Sequence, residues 1–447
     1  MDSAKVRSAL LVALGCVVLT ASGCASMWSA RERSSQAAAF AVPPATALAV
    51  DDTARERSLR FLEDKVRRDP EDFGAHNKLA SHYLQLLHET GNVQYLDLAA
   101  RAARTSLASV PEVRNTGGLS ARTLVEFSSH DFSAARDHAL QLTQLDPAKS
   151  YPYAMLGDAL LELGDYEKAT AAYRQMERRG GGIDENTESR QARLAQLHGD
   201  DTGAARHFAR ALALALNLPV PPHEFVAWCR WQIGETAFAA GDYETAEKHY
   251  RDALITFPNY YRALASLGRV RAARGDLPGA VEHFEQVVRR LPDPAFVAAL
   301  GDLYKLAGRD REAAAQYAVV EQIGHLSVLN GALYNRSLAL FYADHDMKAE
   351  EAYASARREY EMRRDIYGAD AVAWTALKAG RISEAQAAIK EALRLGTRDA
   401  RLFYHAGMIA RAAGDAAAAG DFLQRALKLN PQFDPLQAQR ARQALAH

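Results

Sequence analysis

A chain of 447 residues, 48% hydrophobic and 24% charged, has material for a large core. At roughly 100–200 residues per domain it makes either two to four domains or one long repeat array. Its 54 Lys and Arg stand against 55 Asp and Glu, a net charge of −1, without the basic excess or stripe of a dedicated nucleic-acid binder. Of 3 cysteines only Cys229 lies beyond the opening stretch, which excludes a disulfide framework in the body of the protein.

Lys5 and Arg7 precede an apolar run of 11 residues, 9–19. A membrane-spanning helix needs about 20 such residues, so the run has the length of a signal-peptide core. The sequence Ala21, Ser22, Gly23, Cys24 follows. It resembles the lipobox of bacterial lipoproteins, departing from it at Ala21, where the pattern prefers Leu. The resemblance implies cleavage before Cys24, a diacylglycerol on its thiol and acylation of the new N-terminus. Several acyl chains, at about 0.8 kcal/mol per buried CH₂, anchor a protein stably. In the same resemblance to Gram-negative lipoproteins, a residue other than Asp after the cysteine, here Ala25, implies export to the outer membrane with the body facing the periplasm. Ordinary cleavage near Gly23 or Ala25, releasing a soluble periplasmic protein, is the alternative. Residues 1–23 are thus expected to be a lipoprotein signal peptide. Residues 24–58, with their Ala, Ser and Pro, are expected to be a lipid-anchored flexible linker.

Beyond the linker the chain repeats itself. Gly164, Gly199, Gly241, Gly275, Gly308, Gly380 and Gly414 are each followed by Asp or Arg, mostly at steps of 33 to 35 residues. One step is 42, lengthened by the inserted NLPVPPHEF, and one double step skips a copy marked by His345 and Asp346. An earlier copy is marked by His130 and Asp131. Around these marks, Leu156, Gly157, Ala169 and Tyr173 recur as Leu267, Gly268, Ala280 and Phe284, and again as Leu300, Gly301, Ala313 and Tyr317. Both period and residue types resemble the tetratricopeptide repeat, a pair of antiparallel helices. Apolar residues three and four apart put one stripe of each helix inward. Small residues such as Gly157 and Ala169 allow helix axes to pack 8–10 Å apart. The Gly of each mark closes the first helix in a left-handed turn, and the Asp caps the second. Prolines 147, 258, 292 and 431 stop helices at repeat boundaries.

The resemblance implies an all-α fold, a right-handed α-solenoid of about ten helix pairs starting near residues 72, 116, 150, 185, 227, 261, 294, 331, 366 and 400. The insertion divides it into subarrays 59–218 and 223–447, the second ending in a capping helix. No stretch remains for a separate catalytic domain. The chain carries no HExxH, CxxC, Walker A or GxSxG signature, and no catalytic residue, metal or cofactor is expected. His130 and His138 lie on different parts of one repeat, Cys229 reads as a small buried hydrophobe, and the Gly-rich 178–186 stretch reads as a widened turn.

The family implies a scaffold whose concave wall, built from the first helix of each repeat, binds extended peptides or helices. Repeat positions 2, 5, 9, 12 and 13 face that groove in the family. On the repeat beginning at Ala227 they fall on Trp228, Trp231, Glu235, Phe238 and Ala239; the next gives Arg262 and Arg269. The ninth gives Tyr367, Asp370, Trp374 and Lys378, and the tenth Arg401, Tyr404, Met408 and Arg411. Trp, Tyr and Arg are enriched in binding hot spots. Arg230 stands where the repeat normally buries an aromatic. Two registers are therefore open: Arg230 inside with both Trp on the groove, or a shift that puts one Trp in the core and Arg230 outside. The expected function is a non-catalytic adaptor for envelope proteins or peptide segments, tied to the membrane through Cys24. The alternative is a regulatory subunit of an envelope enzyme such as a cell-wall hydrolase, a secretion system or a polysaccharide-export system.

Overall fold

The computed structural model describes residues 42–48, 52–330 and 335–446. The stretch expected to be a signal peptide and Cys24 lie outside them. The chain divides into Met1–Pro43 and Pro44–His447, and every described helix belongs to the second unit. Among the described residues there are 22 α-helices, one short 3₁₀ turn and no strand. The first, α1 (Asp52–Arg68), begins inside the stretch whose composition suggested a tether. Leu59, Leu62 and Val66, spaced along one face, pack it onto the next helix.

Ten antiparallel pairs follow, with a closing helix, as the period requires. They are α2 (Phe73–Thr90) with α3 (Gln94–Ser109), α4 (Thr116–Ser128) with α5 (Phe132–Leu145), and α6 (Tyr151–Glu162) with α7 (Tyr166–Gly180). Next come α8 (Glu185–Leu197) with α9 (Asp201–Leu216), α10 (His223–Ala239) with α11 (Tyr243–Thr256), and α12 (Tyr261–Ala273) with α13 (Leu277–Arg290). Then α14 (Pro294–Leu306) pairs with α15 (Asp310–Asn330), α16 (Asn335–Asp344) with α17 (Ala349–Met362), and α18 (Ile366–Lys378) with α19 (Ile382–Ala392). The series ends with α20 (Ala400–Ala412) and α21 (Ala416–Leu429), closed by α22 (Gln437–Ala446).

The local rules hold at most of the marks, Asp165 being an aspartate that makes no cap bond. Each marking Gly is left-handed, as at Gly241, φ 77°; where His130 replaces it the non-glycine residue takes φ 62° instead. The following aspartates cap the second helices: Asp131, Asp200, Asp242, Asp276 and Asp415 each accept from the backbone N–H three residues on. Inside four pairs a Gly of the first helix, 157, 234, 268 or 301, lies under an aromatic of the second, and Gly407 lies under Leu423. A Cβ at Gly234 would come 2.5 Å from the ring of Tyr250, and one at Gly301 2.5 Å from Tyr317. Packing runs across the insertion after α9, where Phe208 meets Trp228 edge-on at 5.6 Å.

The array is wound so tightly that its successive turns touch. The Tyr166 hydroxyl accepts from the Ile366 N–H at 2.9 Å, 200 residues away. Thr397 donates to the Leu197 carbonyl at 2.5 Å, again 200 residues away. Asn430 donates to the Phe238 carbonyl at 2.7 Å and accepts from the Tyr243 hydroxyl. Arg363 pairs with Glu162, and Arg398 with Asp201 at 3.2 Å. An offset near 200 is close to six periods of 34 residues, so about six repeats complete one turn of the superhelix. In each clasp the turn between the helices of one repeat rests on a turn between repeats one winding later. Small glycines sit at those crossings because backbone approaches backbone there: the group packed on Gly164 is the carbonyl of Arg364.

Candidate functional site

The inner wall is charged, and its charges are organised by the repeat. In three repeats the residue after the first helix's close-packing Gly is an acid, and the aromatic over that Gly is a Tyr that donates to it. Tyr173 donates to Asp158 at 2.9 Å, Tyr250 to Glu235 at 2.6 Å and Tyr317 to Asp302 at 2.7 Å. A basic residue on the next first helix, or just past its end, completes each set. Arg190 grips Asp158 with two bonds of 2.9 and 2.6 Å, Arg269 meets Glu235 at 2.9 Å, and His345 meets Asp302 at 2.8 Å. Hydrogen bonds to ionised groups are the strong ones, so these carboxylates tie neighbouring repeats together before any partner arrives.

Two cavities lie along one face of α10. The first, about 460 Å³, touches Glu224, Phe225, Trp228 and Gln232; the second, about 490 Å³, touches Glu235, Phe238 and Ala239. Positions 225, 228, 232, 235 and 239 are three and four apart, one stripe of a helix, so the cavities are consecutive stations on one wall. The far side of the second is built by Asp399, Arg401, Phe433 and Asp434, from the next winding. Arg269 and Arg401 keep 38% and 39% of their side-chain surface exposed, because they face this interior space.

The expected groove residues divide into three groups. Trp228 and Arg262 line the first cavity. Trp228 stacks on Phe225 with ring centres 5.5 Å apart. Glu235, Phe238 and Arg269 line the second, though Phe238 is buried beneath the Arg269 guanidinium, 4.2 Å from its ring. Trp231 and Tyr367 serve packing: the Trp231 indole donates to Ser266 at 2.9 Å, and Tyr367 is half-buried against Ile366's core.

The third group departs from the expected wall. Trp374 is fully buried, its indole stacked 4.2 Å from His405 and donating to Asp344 at 2.9 Å. Tyr404 is also buried, and its hydroxyl donates to Gln437 at 2.8 Å. Arg411 is exposed but donates to the Ala444 carbonyl at 3.1 Å. The common cause is α22. Its Ala441 and Ala444 join the cluster around Trp374, and Arg440 reaches the Asp344 carbonyl at 2.9 Å, at the end of α16. The chain's own last helix covers the inner side of the last repeats, so these three side chains are engaged from within.

Arg230 resolves the question of register. It is fully buried, with Nη2 donating to the Pro44 carbonyl at 2.9 Å and Nη1 3.9 Å from Asp252. The register is therefore unshifted, with Arg230 inside, and the polar head is satisfied by a backbone segment 186 residues away. Cys229 is fully buried, and burial pushes its thiol well above the ordinary range, which makes it a poor nucleophile. His138 bonds to Glu126 at 2.7 Å, away from any site. Among the described residues no three His, Cys, Asp or Glu side chains are grouped as a metal site would need, and no helix is long and apolar enough to cross a membrane.

Residue-level reading missed Phe225, Gln232 and Arg193, all on the first cavity. Phe225 and Gln232 share the helical stripe of Trp228 and were findable from it. Arg193 belongs to a repeat whose first helix lacks the Leu-Gly signature, which left no frame for assigning it.

These features define a helical-repeat scaffold, and the chain belongs to the tetratricopeptide repeat family. One tetratricopeptide repeat model matches residues 184–254, and a second matches 124–182, 232–295 and 371–432. Among curated proteins none matches. Several solved structures are similar. The human IFIT1 dimer with PPP-AAAA is 14% identical, covering 86% of this chain and 96% of that one, with a TM-score of 0.44. A tetratricopeptide repeat protein from Parabacteroides merdae is 15% identical over 59% of this chain and 97% of its own, TM-score 0.33. BtubC from P. vanneervenii is 22% identical over 46% and 92%, TM-score 0.37. The repeats make the protein an interaction scaffold.

Proposed function

We propose that this scaffold is a lipid-anchored, non-catalytic adaptor of the bacterial envelope, tied to the outer membrane through Cys24 and holding partner proteins by peptide segments along α10. The observation that carries the reading is the pair of adjoining interior cavities on one face of that helix. The wall around them is prefixed by the tyrosine–acid–cation sets, so little ordering entropy opposes binding. The anchor rests on the Gly-Cys that ends the apolar run.

Two experiments test the two halves. Cells fed labelled palmitate should yield a labelled protein in the outer-membrane fraction, and Cys24→Ser should abolish both label and fractionation; an unlabelled wild type removes the anchor. In-cell crosslinking followed by mass spectrometry should capture defined envelope proteins with wild type and lose them with Trp228→Ala at unchanged thermal stability. Identical capture by both would place binding elsewhere. A truncation of Trp at a true hot spot costs about 2 kcal/mol or more.

A further inference from the structure

The first cavity has a charge arrangement that the interaction-scaffold reading leaves unused. Asp158 on its wall is held by Arg190, and Glu162 by Arg363. Arg193 and Arg262, on the same wall, form no ion pair among the described residues. Each lies instead over aromatic rings, Arg193 5.8 Å from Tyr367, and Arg262 5.4 Å from Trp231 and 5.1 Å from Tyr261. Glu224 is the remaining acid, and burial pushes its carboxyl upward against the lowering charge of Arg262, which weakens it as a counter-ion.

Around these cations stands an aromatic wall of Phe225 and Trp228 with Phe208 edge-on. The Gln232 amide on the same wall carries both a donor and an acceptor for a peptide bond.

We propose that the first cavity holds a peptide segment in which an acidic residue neighbours an aromatic one, the carboxylate met by Arg193 and Arg262 and the ring packed on Trp228 and Phe225. This deepens the adaptor reading and rests on it. A guanidinium suits a carboxylate because its planar fork matches the two oxygens.

The test uses the full chain in detergent and fluorescein-labelled peptides of alternating Asp and Phe, with Lys–Phe and Asp–Ala peptides for comparison. Fluorescence anisotropy should show at least tenfold tighter binding of the Asp–Phe peptide than of either comparison, weakening as salt is raised. Arg193→Gln and Arg262→Gln should each lower it about tenfold, with Arg→Lys at both positions retaining part of the affinity. These variants keep the aliphatic stem over the rings, and an unchanged melting temperature confirms the fold. Equal binding of the Lys–Phe peptide, or binding indifferent to both arginines, overturns the proposal. So does tight, arginine-dependent binding of a polygalacturonate oligomer with none of the peptide, which would make the ligand an acidic glycan. Capture of an envelope partner by crosslinking, together with indifference to the acidic peptide, would sink this inference and leave the adaptor reading standing.

Discussion

Gly234 shows how a single residue can serve two purposes in this wall. Its missing side chain lets Tyr250 lie flat on α10, and that places the phenol where it donates to Glu235 at 2.6 Å. Tyr250 is fully buried, so the ring has no room to retreat. Gly234→Ala should therefore act as overpacking, at about 1–3 kcal/mol, although alanine is intrinsically the better helix former by about 1 kcal/mol. Urea unfolding should show a net loss; a gain in stability would mean that the ring moves freely. The tryptophans allow a second check at this scale. Variants keeping only Trp374 should show blue-shifted emission that iodide does not quench, because that indole is wholly enclosed. Variants keeping only Trp228, half-buried on a cavity, should be quenched. The reverse order would contradict the placement of both.

At the scale of elements, the turn between α16 and α17 is tied to α14 by an ion pair whose histidine has a raised pKa. His345 has both ring nitrogens engaged, Nδ1 with the Phe341 carbonyl at 2.7 Å and Nε2 with Asp302 at 2.8 Å. Both partners accept, so the arrangement calls for the doubly protonated ring. Burial opposes the charge, but the Asp302 hydrogen bond and charge outweigh it and raise the pKa above its ordinary value. A group raised on folding stabilises fully below the unfolded pKa, about 6.5, and loses that contribution as pH rises through the folded value. The stability difference between wild type and His345→Gln should thus be present in full below about pH 6.5 and shrink as pH rises above it in urea titrations; a difference constant with pH would refute the imidazolium. The helix pairs themselves, their period and their caps were legible in the sequence, because each depends on residues within one repeat. The occupancy of Trp374 and Tyr404 by α22 was not. Both residues carry the pattern of a groove wall, and only the path of α22 past Asp344 decides that the chain fills it. Arg230 failed to be legible for the same reason: its partner, the Pro44 carbonyl, is remote in sequence and has no side chain to signal it.

At the scale of the whole molecule, the contacts between windings change what kind of solenoid this is. A stack in which each repeat touches only its neighbours has stability that adds repeat by repeat, and damage stays local. Here Asn430, after α21, is bonded to Phe238 and Tyr243 at the junction of α10 and α11, close to 190 residues earlier. Asn430 is only 2% exposed, and removing its side chain takes one of two donors from the Phe238 carbonyl and the acceptor from the Tyr243 hydroxyl, at a cost of about 1–3 kcal/mol in all. Asn430→Ala should therefore speed amide exchange in α10 and α11 as well as in α21, while α4 to α6 keep their protection. Thr397→Val, which cuts the bond to the Leu197 carbonyl, should do the same for α8, and the two together should enlarge the radius of gyration in solution scattering with helix content retained. Faster exchange confined to α20–α22 would show that the windings touch without supporting one another, and the interior cavity that shares its walls between them would then open as readily as an ordinary groove.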